Sequence, residues 1–147
     1  MKGAPEMAVR NTQRKVQLET KPLQRFAVRA LRECLELAEP SPGKLRHLEQ
    51  VTVVLVSDRR MSELHQQFLQ VGGPTDVITF EEGDLFISAE TAQTNAVRFR
   101  TSTEDELRLY IIHGLLHLHG FDDTTAGRAR VMERTQQRIL RALRERA

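Results

Sequence analysis

From Lys21 to Leu37, apolar side chains recur at Leu23, Phe26, Ala27, Ala30, Leu31, Cys34, Leu35 and Leu37. Steps of three and four gather these residues on one face of a helix. Pro40-Ser41-Pro42-Gly43 closes that helix in a loop. Met7–Asn11 reads as a short first strand, and Val51–Val56, β-branched and apolar, as a buried one. Met61–Leu69 predicts a short helix and Gly72-Gly73-Pro74 a turn. Asp76–Phe80 and Asp84–Ser88 predict two strands of a hairpin around Glu81-Glu82-Gly83, and Glu90–Val97 a helix. Thr103-Glu104-Asp105-Glu106 has the hydroxyl-to-glutamate spacing of a capping box and predicts the start of the next helix. That helix is apolar nearly all round, through Leu107, Leu109, Tyr110, Ile111, Ile112, Leu115, Leu116 and Leu118, so it belongs in the interior. Thr125–Arg146 predicts a final amphipathic helix with Val131, Met132, Ile139 and Leu140 on its apolar side. The order implies an α+β (α/β-like) single domain over residues 1–147. It has a small mixed four-stranded sheet, about five helices, and the apolar helix packed centrally against the sheet.

Within that central helix stand two histidines four residues apart, His113 and His117. Side chains at i and i+4 share a helix face, so both imidazoles can reach one metal ion. Gly120 suits the left-handed backbone that ends a helix, which lets the chain double back and bring Asp123 to the same ion. Three protein ligands with a fourth position left open is the pattern of a catalytic zinc site. Histidines also fall four apart by chance, as ordinary surface or core residues. The glycine, the later carboxylate and the apolar setting all favour the metal, because histidines buried there need partners. Glu106 shares the stripe of Tyr110, His113 and His117; the capping box favours a cap role for it over a supporting role behind the ligands. His119, two residues after His117, faces away while the helix persists, and His47 lies in a polar loop.

Composition narrows the class. At 147 residues, 39% hydrophobic and 29% charged, the chain reads as a globular domain with no apolar run long enough for a membrane span. The polar start, Met1 to Arg14, lacks the apolar stretch of a secretory signal. Cys34 is the single cysteine, so no intrachain disulfide forms, which suits a reducing cytoplasm. The net charge of +2 is unevenly spread. Residues 1–50 carry 10 Lys+Arg against 6 Asp+Glu, residues 51–123 carry 5 against 12, and residues 124–147 carry 7 against 2. The basic ends are either solvated helix faces or a landing strip for phosphates beside an acidic, metal-collecting middle. With six Phe, one Tyr and no Trp, a stacking platform for single-stranded bases is poorly supplied.

Three segments resemble the YbeY family of metal-dependent endoribonucleases. Pro74-Thr75-Asp76-Val77-Ile78-Thr79-Phe80 is similar to the family's PTDVLSF. Gly83-Asp84-Leu85-Phe86-Ile87-Ser88, followed by Glu90, is similar to GDIxIS, and His113–Asp122 is similar to HGxLHLxGYD. The likeness runs loosely from Ser57 to Leu140. It implies action on ribosomal RNA in the cytoplasm, in maturation and ribosome quality control, with ribosomal proteins as further partners. It also implies one Zn²⁺ per chain, with Mn²⁺ or another divalent ion as alternative. Of the family's three histidine ligands, the first two fall on His113 and His117, while the third falls on Asp123. Carboxylate oxygen and imidazole nitrogen bind zinc at similar distances, about 2.0–2.2 Å. The anionic ligand makes the ion a weaker Lewis acid and shifts preference toward harder ions. Asp122, matching the Asp before the family's third ligand, is an alternative to Asp123, which is ahead on spacing. The family arginine before the Pro-Thr-Asp segment aligns with Leu69. Arg59 and Arg60 are candidates to replace it, and Arg128 and Arg130 are further RNA-binding candidates. A family Asn aligns with His65, a surface or supporting residue here and less readily a fourth ligand.

Three functions follow. The first is metal-assisted cleavage of an RNA phosphodiester through His113, His117 and Asp123. The second is a zinc peptidase, since HxxxHxxGxxD also looks like the zinc segment of metzincin-type proteases. Those enzymes place a glutamate base after the first histidine, where this chain has Gly114. The third is a non-catalytic ribosome-assembly factor with a structural metal, favoured by the missing arginine at Leu69.

Overall fold

A computed structural model of the chain describes residues 3–69 and 76–145. The expected turn at Gly72-Gly73-Pro74 and the Pro74-Thr75 start of the first family segment lie outside them. The elements run β1 (Glu6–Asn11), α1 (Thr20–Leu35), a 3₁₀ turn (Leu45–His47), β2 (Gln50–Val56), α2 (Asp58–Leu69), β3 (Val77–Thr79) and β4 (Asp84–Ser88). Three helices follow: α3 (Ala89–Phe99), α4 (Thr103–Leu118) and α5 (Ala126–Glu145). This is the expected α+β fold with four strands and five α-helices among the described residues. The sheet is mixed, in the order β1-β2-β4-β3. β1 and β4 each pair parallel with β2, and β3 pairs antiparallel with β4. The hairpin closes through Phe80 N–H to Asp84 O at 2.9 Å and Gly83 N–H to Phe80 O at 2.9 Å.

Alternation along the strands sends side chains to two different layers. Val51, Val53 and Leu55 of β2, with Leu85 and Ile87 of β4, enter the main core with α1, α4 and α5. Val56 and Ile78 pack with Met61 and Leu64 of α2 in a second cluster, against which Val54 and Phe86 rest. Helix α4 is the hub, touching α1, α3, α5, β3 and β4. Its Leu107, Ile111, Ile112, Leu115 and Leu116 are fully buried, and truncating any of them to alanine costs about 2–5 kcal/mol. Gly114 lets α4 lie close to the sheet: a Cβ there would come within 2.9 Å of the Leu85 methyl carbons.

The capping box is displaced by one residue. Ser102, not Thr103, caps α4, its hydroxyl accepting from the Asp105 N–H at 3.1 Å. Glu106 is therefore free of capping and turns inward. The second family segment is structural in part. The Ser88 hydroxyl caps α3 and donates to the Asp58 carboxylate, while Glu90 accepts from the Asp58 N–H at 3.0 Å. Thr91 Oγ1 adds a bond to Asp58 at 2.6 Å. These contacts tie the start of α2 to the β4–α3 junction.

Candidate metal centre

Helix α4 ends where the site begins. The Phe121 N–H reaches the Leu116 carbonyl at 2.9 Å and the Gly120 N–H reaches the His117 carbonyl at 3.2 Å. This is a Schellman ending, with Gly120 in the left-handed region at φ 98°. A second clasp comes from the loop after α1. Lys44 N–H donates to Leu118 O at 2.7 Å, and His119 Nε2 donates to Leu37 O at 2.7 Å. His119 is fully buried, faces away from His113 and His117, and stacks beside Phe121. Any side chain on Gly120 would collide with the Ser41 carbonyl, whose oxygen is 2.0 Å from an ideal Cβ. The reversal so fixed brings Asp123 back over the last turns of α4.

There His113, His117 and Asp123 each offer one ligand atom, all within 4.8 Å of one another, and could hold a metal ion. The two Nε2 atoms are 3.0 Å apart, and Asp123 oxygens lie 3.9 Å from each. Two ligands of a tetrahedral ion at 2.0–2.1 Å sit roughly 3.3 Å apart, so the two imidazoles are already near ligand spacing, and the half-exposed Asp123 carboxylate has to close in by about half an ångström or more. Tautomer also fits. His113 Nδ1 is hydrogen-bonded to Gln136 Oε1 on α5. An amide oxygen can only accept, so Nδ1 carries the proton and Nε2 presents its lone pair to the centre. The His117 imidazole is held below its usual pKa, mainly by burial and then by His113, with Asp123 opposing. It is a neutral donor near pH 7, as a metal requires.

One wall of the cleft, of about 580 Å³, is lined by His113, Asp123, Tyr110, Glu106, Asn95 and Gln136, with Asp76 and Glu133 among the rest. Glu106 accepts from Thr101 Oγ1 at 2.9 Å and from the Tyr110 hydroxyl at 3.4 Å, and Asn95 Nδ2 donates to that hydroxyl at 2.8 Å. Burial, with Asp76 and Glu106 nearby, pushes the Tyr110 phenol up to about 12, so it stays protonated and donating. No Lys or Arg lines this cleft among the described residues.

The other sequence candidates take different places. The Asp122 carboxylate is turned to Thr124, accepting from its N–H at 3.0 Å and its hydroxyl at 2.7 Å, and to Arg128 at 3.2 Å. These bonds, Thr124 first, lower its pKa. Arg128 is thereby ion-paired, while Arg130 is exposed. Arg59 and Arg60 sit on the first turn of α2, at 3.7 and 3.3 Å from Glu63. His65 is outside the ligand group, and its buried Nδ1 has no hydrogen-bond partner among the described residues. Cys34 is a buried free thiol, pushed up to about 12 by burial and then by Glu33. Gln136 is the residue that sequence reasoning missed. Its only signal is an amide in register with the buried Met132, Ile139 and Leu143 of α5.

The fold and site define a small mixed-sheet domain whose buried central helix ends in a His-His-Asp group that could hold a metal ion. The family model described as endoribonuclease YbeY matches residues 8–144, and the chain belongs to that family. It is 40% identical over 102 residues to the endoribonuclease YbeY of Parabacteroides distasonis, covering 65% of this chain and 72% of that protein. With the one from Chloroherpeton thalassium it shares 32% over 120 residues, covering 77% and 84%. A solution structure of a Thermotoga maritima protein superposes with a TM-score of 0.63 at 26% identity, covering 91% of this chain and 86% of that one. No helix among the described residues is long and apolar enough to cross a membrane.

Proposed function

We propose that this chain is a divalent-metal-dependent endoribonuclease. Its substrate would be single-stranded ribosomal RNA, cut during maturation and quality control of ribosomes in the cytoplasm, with residues 1–147 acting as one domain. The observation that carries the reading is the convergence of His113 Nε2, His117 Nε2 and an Asp123 carboxylate at one point, in a chain of this family. His113, His117 and Asp123 would hold the ion, Zn²⁺ with Mn²⁺ as alternative. Bound there, it would supply Lewis acidity toward a phosphoryl oxygen and toward water.

The chain's own residues do the rest. Gln136 keeps His113 in the tautomer that presents Nε2. Asp123 adds a negative charge that moderates the ion. Glu106, Tyr110 and Asn95 form a hydrogen-bonded wall beside the ligands. With Asp76, Glu106, Asp123 and Glu133 lining the cleft, a phosphodiester entering it meets net negative charge. A cation held by His113, His117 and Asp123 would make such an approach favourable. The peptidase reading lacks a base, because Gly114 packs on Leu85 with no room for a side chain.

The test incubates purified protein with ribosomal RNA fragments, with and without a chelator. Cleavage that needs metal and is lost in His117→Ala supports the reading. Cleavage surviving both treatments overturns it, and metal binding with no cleavage points to the assembly-factor role.

A further inference from the structure

A second cleft, of about 320 Å³, lies among α1, α4 and α5 and is lined by Arg25, Arg29, Arg108 and Arg144 with Phe26 and Leu143. Three helices distant in sequence thus deliver four guanidiniums to one depression. Their charge is mostly uncompensated. Arg108 bonds Asp105 at 2.9 Å and Arg144 bonds the same carboxylate, so one anion serves two cations. Arg29 donates to the neutral Leu143 carbonyl at 2.8 Å, and Arg25 is exposed with no ion pair among the described residues. Arg108 also stacks on the Phe26 ring, 5.7 Å from its centroid, which holds a planar fork in place over an apolar floor. Arginine forks so held match phosphate oxygens.

The cleft is separate from the metal centre. On α4, Arg108 precedes His113 by five residues, about 7.5 Å along the axis and about 140° around it. The two are nonetheless joined by α5, which begins just after Asp123 and ends in the cleft. Along it Arg130, Arg134, Arg138 and Arg141 are exposed at steps of four, four and three, and carry no ion pair among the described residues. The 20 residues of α5 span about 30 Å. The neighbouring depression holds Glu19 and Glu104, which directs a polyanion toward α5 rather than past Pro22.

We infer that the Arg25–Arg29–Arg108–Arg144 cleft binds the phosphodiester backbone of the RNA substrate, anchoring a strand that runs along α5 to the metal centre. This rests on the nuclease reading for the identity of the polyanion. Free phosphate shares the chemistry, so both are tested. Binding of a labelled single-stranded ribosomal RNA fragment to the full-length chain is titrated against salt with chelator present, so that no cleavage intervenes. Arg25→Glu is compared with Arg10→Glu, the same charge change on edge strand β1. Arg25 is exposed and loses no ion pair or hydrogen bond among the described residues, and a thermal melt of each variant checks that its fold is intact. The expected result is a loss of at least tenfold in affinity for Arg25→Glu, with the log–log salt slope smaller by about 0.7 for each phosphate contact removed. Arg10→Glu should change affinity less than twofold. Equal effects of the two variants overturn the inference, as does inorganic phosphate shifting the Arg25 and Arg29 side-chain resonances while RNA affinity ignores Arg25→Glu. Selective loss of RNA binding in a protein that cleaves nothing under any metal condition would keep this cleft and remove the nuclease reading.

Discussion

His113 of α4 is tied through Nδ1 to the Gln136 side chain of α5, so the orientation of one candidate ligand depends on a helix that contributes no ligand itself. Gln136 is buried and its amide nitrogen reaches Glu133 at 3.3 Å. Gln136→Leu should weaken zinc affinity by about 10–100-fold with little change in thermal midpoint, because an apolar side chain of similar size still fills the site. Gln136→Glu should recover or exceed the original affinity, since a carboxylate partner makes the imidazole more basic. Competition with a chromophoric chelator reads both.

Asp123 is half exposed and 3.9 Å from each imidazole. Asp123→Ala should lower metal affinity by at least about tenfold while leaving the fold intact. Asp123→His should keep the metal but raise its net positive charge. The acid limb of the pH–rate profile for RNA cleavage should then move to lower pH than in the parent chain.

The pH dependence of the apo protein has a definite sign. His117 is held below its ordinary value by burial and by His113. In the window between its folded pKa and the unfolded value of about 6.5, the unfolded chain binds more protons than the folded one. Stability should therefore rise with pH up to about 6.5 and be lost as pH falls through that window. His117→Gln should flatten this slope in denaturant melts recorded with chelator.

Gly120 holds φ at 98° against the Ser41 carbonyl. Gly120→Ala should destabilise the chain by about 1–3 kcal/mol from backbone strain alone, with the Ser41 collision adding to it. Metal affinity should fall as well, because the reversal that delivers Asp123 is set there. Gly127→Ala, where a Cβ meets nothing within 4 Å, is the control in the same melts.

The strands and helices were legible because their periodicities are strong. The apolar character of α4 on all sides predicted a central helix, and the β3–β4 hairpin followed from Glu81-Glu82-Gly83 between two apolar runs. The His113–His117–Asp123 grouping was legible because it is local, within one helix and its ending. What escaped is non-local or degenerate. Ser102 and Thr103 both carry hydroxyls three residues before an acidic residue, so spacing alone could not choose the cap, and the role of Glu106 hung on that choice. Gln136 touches His113 across 23 positions, a relation no pattern within α5 reveals. Arg25, Arg29, Arg108 and Arg144 read as separate surface charges until α1, α4 and α5 pack.

The central claim, one divalent ion held by His113, His117 and Asp123, is tested most directly by metal stoichiometry. Elemental analysis of the parent chain and of His113→Ala/His117→Ala, each dialysed against limiting zinc and then metal-free buffer, should give close to one equivalent in the parent and almost none in the variant. A full equivalent retained by the folded double variant would contradict the account.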